Sequence, residues 1–348
     1  MKFSYLFVLV SIMSLLFTAC VQPVSAPAAG FRTIEVTTPE RDAPISVSLW
    51  YPPGTGGSQT VIGGNQVFQG VPVRQDAAIA DGEFPLILLA HGGLRAAPQL
   101  SGWLAAELAM RGFMVAEPHP PQLGPADAQA ALAEPWLRPA DLAATWEALA
   151  GDAVVSAHLQ KDNVGAVGFL LGGASALTLA GAELDPARYA TMCDGDAAGG
   201  MDCFWFAEGG VDLHAVDFIH MADVTVKNKV KVAIAVDPEL STVFTPTSLG
   251  NIAIPVAIIN LGQPETILPG LNAASLEGLI PRATYETVPD ATQFSAFSEC
   301  TAKGALILQE EGDNAALCTD EGTRSRADIH RQLVEMIVSR FIQTFASN

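Results

Sequence analysis

Two glycines, Gly168 and Gly172, bracket Phe169-Leu170-Leu171. An apolar run at 164–167 precedes them and a run of small and aliphatic residues at 173–180 follows, so the turn joins a strand to a helix. Glycines on both sides of the central residue relieve the crowding of so sharp a turn. A side chain raised at its centre is placed to attack an acyl carbon. That chemistry needs a hydroxyl or thiol, an imidazole to take its proton, a carboxylate to orient the imidazole, and backbone amides for the oxyanion. The residue at the centre is Leu170, which has no nucleophilic atom. Phosphate binding, the other use of a glycine-rich turn between strand and helix, does not fit. No lysine follows the turn, and the glycines lack dinucleotide-fold spacing.

The elements around this turn follow from hydrophobic periodicity. Residues 31–37 and 45–51 are rich in β-branched and aromatic side chains, with alternation in Ile45-Ser46-Val47-Ser48-Leu49, and read as two strands of an antiparallel edge. A glycine-rich loop is expected at 54–65. Short apolar strands at 85–90, 113–116, 164–167, 230–236, 255–260 and 284–288 alternate with helices at 100–110 and 139–149, the pattern of parallel βαβ units. Residues 326–345 make a closing amphipathic helix. Residues 183–228 break the rhythm with Gly-Asp turns and read as an inserted cap. The expectation is one α/β domain with a doubly wound, mostly parallel sheet, for which 348 residues suffice.

Without a serine, a base would have to be sought among six histidines. His91, at a strand end, is expected to be a structural hydrogen-bonder. His119, at the next strand end, is the one candidate for a relocated base. His158 and His330 fall on helices and read as surface residues, while His214 and His220, in the insertion, read as lid contacts or solvated side chains. Ser175 lies inside the helix after the turn, where a small residue serves packing.

The run Ala166-Val167-Gly168-Phe169-Leu170-Leu171-Gly172-Gly173 resembles the nucleophile elbow of the dienelactone-hydrolase-like branch of α/β-hydrolases, related to platelet-activating-factor acetylhydrolases, with Leu170 in place of serine. Leu49-Trp50-Tyr51-Pro52, Phe84-Pro85-Leu86 leading to His91-Gly92-Gly93, Arg138-Pro139-Ala140-Asp141, and Ile254-Pro255-Val256 match the same branch in order. The resemblance implies an α/β-hydrolase fold over residues 31–348 that needs no cofactor and no metal. It implies oxyanion donors at the backbone amides of Gly93 and Leu171, and a triad acid at Glu265, with Asp237 as the other choice. It puts the triad histidine at Gln293, in Ala291-Thr292-Gln293-Phe294-Ser295. Glutamine cannot accept and return a proton near neutral pH. Two functions are compatible with this pattern. One is a pseudo-hydrolase whose less polar pocket binds a hydrophobic ligand or a partner. The other is an active carboxylic ester hydrolase using a non-standard nucleophile or base, with Asp237 or Glu265 and His119 in new roles.

Lys plus Arg total 18 against 37 Asp plus Glu, a formal net charge of -19 that disfavours nucleic-acid binding. Lys2, an apolar stretch over 6–17 and Phe17-Thr18-Ala19-Cys20 form an export signal at 1–19. The last four residues resemble a bacterial lipoprotein box, with Phe17 departing from the usual leucine. The resemblance implies a lipid on Cys20, a tether at 20–30 and attachment to the outer membrane or cell envelope; Val21, which is not aspartate, argues against inner-membrane retention. Simple cleavage near Cys20 is the alternative. The remaining cysteines, Cys193, Cys203, Cys300 and Cys318, are expected to form two sequence-local disulfides, 193–203 and 300–318. None has a second cysteine or histidine two to four residues away, as a zinc site would require.

Overall fold

The computed structural model describes residues 28–95, 97–124, 126–194, 202–218, 221 and 230–346. The export signal, Cys20, most of the tether and His220 lie outside the described residues. Ala29 and Gly30, expected in the tether, already belong to the first strand.

Among the described residues ten strands form one mixed sheet: β1 (Ala29–Val36), β2 (Ile45–Tyr51), β3 (Ser58–Ile62), β4 (Val71–Gln75), β5 (Phe84–Ala90), β6 (Met114–His119), β7 (Leu159–Phe169), β8 (Val232–Val236), β9 (Val256–Leu261) and β10 (Ala283–Val288). Their order is β10-β9-β8-β7-β5-β6-β2-β1-β4-β3. The pairs among β5 to β10 are all parallel, and β2 lies antiparallel to both β6 and β1. The antiparallel pair β1–β2 forms as expected but is not the edge. The segment expected to be a glycine-rich loop contributes β3, and the β3–β4 hairpin covers β1 instead. Its sequence, Ser-Gln-Thr-Val-Ile, alternates too briefly between glycines to stand out.

The helices are α1 (Gly102–Met110), α2 (Ala128–Ala131), α3 (Glu134–Gly151), α4 (Leu171–Leu179), α5 (Pro186–Ala190), α6 (Cys203–Glu208), α7 (Pro246–Gly250), α8 (Leu276–Leu279), α9 (Gly304–Glu311) and α10 (Arg326–Phe345). Helix α3 starts five residues before the expected 139, because Pro135 takes the first-turn position that proline favours and Pro139 lies inside. Strand residues alternate between two apolar layers. Ile87, Leu89, Val115, Val167, Val232 and Ile234 pack with α1 and α10 on one face. Leu86, Leu88, Ala166, Ala233, Ala235 and Ile258 pack with α3, α4 and the described part of the insertion on the other. Within the insertion Tyr189 and Phe218 meet edge to face at 4.8 Å, and the disulfide Cys193–Cys203 ties it together.

Candidate active site

The β7–α4 turn is an elbow in full geometric detail. Leu170 has φ 53° and ψ -121°, a conformation that a branched side chain adopts only under constraint. The constraint is visible. Leu170 N donates to Val236 O at 3.0 Å, while its carbonyl accepts from Glu239 N at 3.1 Å and Ala174 N at 3.2 Å. A Cβ on Gly168 would stand 2.1 Å from Gly172 O, and one on Gly172 would stand 2.4 Å from the carbonyls of Ala90 and His91. Both positions therefore exclude every residue but glycine. Ala90 and Gly168 are register partners, so the end of β5, which leads to Gly93, lies beside the turn that leads to Leu171.

The side chain of Leu170 is fully enclosed, at 0 % exposure. It forms a small apolar cluster with Ile267, Leu271 and Phe297, against which Leu100, Phe294 and Leu317 pack. Ile267 and Leu271 come from the loop after β9, and Phe294 and Phe297 from the loop after β10, where an acid and a histidine are sought in this fold. Gln293 opens the single turn Gln293–Ala296, capped by Thr292, and is half-buried. That turn is firmly held. His330 Nε2 lies 2.8 Å from Ser295 O, and Ser295 Oγ donates to Asp320, which pairs with Arg326 at 3.0 Å. Arg326 in turn donates to Leu317 O at 2.7 Å. The disulfide Cys300–Cys318 closes the same segment beside Leu317.

The two candidate acids differ sharply. Glu265 stands exposed in the loop after β9. Asp237, at the end of β8, is buried, with φ 44°. Its Oδ1 accepts from Asn260 Nδ2 at 2.7 Å and Leu261 N at 2.8 Å, while Oδ2 is buried with no hydrogen-bond partner among the described residues. Burial pushes the carboxyl up to about 7, against the pull of those two donors. Asn260 also donates to Leu271 O at 2.8 Å, linking Asp237 to the cluster around Leu170. One oxygen anchored and one left over is how a carboxylate that orients an imidazole is held.

The loop after β5 is anchored from beneath. Arg138, fully buried, donates to Gly92 O at 2.9 Å and to Gly93 O and Leu94 O at 3.3 Å. It is balanced by Glu134 at 3.2 Å, and Arg41 bridges Glu134 and Asp141 at 2.8 and 2.7 Å. The sequence run Arg138-Pro139-Ala140-Asp141 carried this network; its partners Arg41 and Glu134 had no local signal. Sequence reasoning also missed Glu239, whose Oε1 is buried without a partner among the described residues. Burial first, then Asp202, raise its carboxyl well above the usual range, and Arg138 opposes them.

Among the histidines, two expectations fail. His330 is no surface residue: it is buried on the inner side of α10, stacked on Trp103 at 3.5 Å, and burial lowers it to about 4. The apolar face of α10 absorbs it because its Nε2 finds a carbonyl. His91 is buried but bonds nothing: neither ring nitrogen has a partner among the described residues, and burial, Arg138 and His119 keep it neutral. His119 lines a hollow with Arg41, Ile45, Pro121 and Leu137, apart from the Leu170 cluster. His158 contacts Gly82 O at 3.0 Å at the surface, and exposed His214 pairs with Asp194 at 2.9 Å. Ser175 Oγ donates to Leu171 O at 3.0 Å within its helix, facing away from any chemistry.

No protein-family profile matches the sequence, and no curated protein matches it. Among solved structures the chain is similar to a ferulic acid esterase from Streptomyces cinnamoneus, at 15% identity and a TM-score of 0.59, over 93% of this chain and 92% of that one. It also matches a dienelactone hydrolase from Anabaena variabilis at 11% identity and a TM-score of 0.44, over 84% and 99% of the two chains. A Bacteroides ovatus structure described as a dipeptidyl aminopeptidase IV matches at 10% identity and a TM-score of 0.48, over 91% of this chain and 36% of that one. The sheet order, the elbow and the first of these likenesses together define the protein as having the α/β-hydrolase fold. Within that fold it is a chain whose elbow presents a buried leucine.

Proposed function

We propose that the protein is a pseudo-hydrolase of the cell envelope, lipid-anchored through Cys20, which works by binding a hydrophobic ligand or partner and not by turnover. One observation carries the absence of turnover: Leu170 occupies the strained elbow position with its side chain sealed under Ile267, Leu271 and Phe297. Neither Leu170 nor Gln293 has an atom that attacks or relays a proton. What supports a retained scaffold is the rest of the site: the anchored loop of Gly93, the adjacent start of α4 at Leu171, and Asp237 with one oxygen unused. Support for export comes from the two disulfides, the chemistry of an oxidising compartment. Among the described residues no helix is long and apolar enough to cross a membrane.

The test is hydrolysis of p-nitrophenyl esters from acetyl to dodecanoyl, and of feruloyl esters like those the Streptomyces relative is named for. The expected result is no release above buffer, no labelling by a fluorophosphonate probe, and saturable binding of a fluorescent fatty acid. Turnover that a serine-directed inhibitor abolishes would overturn the reading. Incorporation of labelled palmitate, lost in Cys20→Ala, tests the anchor.

A further inference from the structure

We propose that the sheet edge where β8, β9 and β10 begin is a membrane-facing surface, on which Lys231, Arg282 and Arg340 meet the anionic headgroups of phospholipids. The proposal rests on the anchor at Cys20. A hollow of about 530 Å³ at this edge is lined by those three basic residues together with Val232, Pro255 and Thr344, and no carboxylate is among its lining residues. Arg282 is exposed and donates to Ala253 O at 3.1 Å. Lys231 Nζ lies 3.5 Å from Asn163 Oδ1, and Arg340, 29% exposed, is ion-paired with Glu286 at 2.7 Å, which leaves Lys231 and Arg282 as the cations that carry the patch. In a chain with a net charge of -19, three cations around one hollow run against the overall composition.

Strand direction puts the anchor at the same edge. Strand β1 is antiparallel to β2, and β2 to β6, so β1 runs in the direction of β5 to β10. Crossing the sheet by register, Phe31 pairs Trp50, Trp50 pairs Val115, Val115 pairs Ile87, Ile87 pairs Gly165, and Gly165 pairs Val232. Phe31 is thus level with Val232, and Ala28 enters the sheet three residues below that level, on the side where the hollow opens. From Cys20 to Ala28 an extended chain reaches about 26 Å, and five strand spacings separate β1 from β8 by about 24 Å. A lipid on Cys20 thus holds this edge against the bilayer and leaves the elbow, at the opposite ends of the strands, facing away. Glu286 offsets Arg340, but carboxylates farther away than about 8–10 Å are screened from Lys231 and Arg282.

Each basic side chain at an anionic surface strengthens the contact about fivefold. The lipidated protein would carry a fluorophore on Gln343→Cys, beside the hollow, or on Gln263→Cys, near the elbow edge. Both are reconstituted in vesicles with about 30% phosphatidylglycerol and a headgroup nitroxide quencher. Quenching at 343 is expected to exceed that at 263 about fivefold or more, and the difference to collapse in K231E/R282E. Equal quenching at the two positions, or a 343 signal indifferent to K231E/R282E, overturns the proposal. Absence of palmitate would instead refute the anchor. In that case the chain beginning at Val21 is floated with the same vesicles: flotation lost in K231E/R282E sustains the surface, and no flotation overturns it. Saturable binding of inorganic phosphate by that chain without flotation also overturns it, in favour of a free-anion site.

Discussion

Restoring serine at the elbow and histidine at its partner position tests whether the site is a dismantled triad. Leu170→Ser removes a side chain at 0 % exposure from a cluster of four buried residues. Leucine-to-small substitutions at such sites cost about 3–5 kcal/mol, depending on how far the surroundings collapse. In a domain of this size that corresponds to a melting temperature lower by roughly 10 °C. Serine alone is expected to stay inactive, because Gln293 takes no proton. If the proposed reading holds, Leu170→Ser with Gln293→His is expected to hydrolyse p-nitrophenyl acetate measurably, since the loop proposed to hold the oxyanion and the carboxylate of Asp237 are both in place. Adding Asp237→Asn should then cost about tenfold or more, through loss of the group that orients the imidazole, whereas Glu265→Gln should cost little. The assays are thermal denaturation and initial rates on purified protein. If Leu170→Ser leaves the melting temperature unchanged, the packing argument is wrong. If it is as active as the double variant, Gln293 does not mark the histidine position.

Stability should fall as pH rises from 6.5 to 8. Burial raises Asp237 to about 7 and Glu117 to about 8, so the folded chain keeps protons that the unfolded chain has released. The stability this confers is complete at low pH and is lost as pH climbs through those values. His119 and His330, lowered to about 4, act in the opposite sense, chiefly below 6.5 and by only a few tenths of a kcal/mol each, roughly, above it. The expected loss in urea denaturation is about 3 kcal/mol over that window, smaller in Glu117→Gln; a flat or rising curve contradicts it. Arg138→Ala leaves the carbonyls of Gly92, Gly93 and Leu94 without their buried donor, while Glu134 keeps Arg41, and should cost about 1–3 kcal/mol, read from the same urea curves, with no measurable loss counting against the network. Opening Cys300–Cys318 by paired serine substitution frees an 18-residue loop and should cost about 3 kcal/mol; an unchanged denaturation midpoint would show that the disulfide leaves stability untouched.

The sheet was readable wherever side chains alternate or run apolar, because burial on one or both faces imposes those patterns. β3 escaped, being short and exposed, with only weak periodicity. Both disulfides formed as the sequence suggested, since each joins segments already close along the chain. The elbow was legible because Gly168 and Gly172 are demanded by contacts below 2.5 Å. The environment of the acids was not. Glu265 and Asp237 follow strands in the same way, and only the fold shows one exposed and the other anchored by Asn260 and Leu261. His330 misled because an amphipathic helix shows which residues face inward but not which carbonyl waits there.

Why leucine, of all residues, stands at the elbow follows from the same geometry. The turn is imposed by close backbone contacts and by hydrogen bonds from Leu170 N to Val236 O and from Glu239 N to Leu170 O. Its strain, about 1–3 kcal/mol, therefore persists whether or not the side chain does chemistry. A polar residue that no longer reacts would add a desolvation cost of about 1–3 kcal/mol under Ile267, Leu271 and Phe297. Leucine reverses that sign, because burying it contributes about 1.5–3 kcal/mol, which offsets the strain of the turn. The loops after β9 and β10 supply the packing partners. On the proposed reading, activity at the elbow has to overcome this packing as well as the side chains Leu170 and Gln293, so Phe297→Ala added to the Leu170→Ser, Gln293→His pair should raise the rate further while lowering stability. A triple variant less active than the double would mean that Phe297 supports the site instead of sealing it.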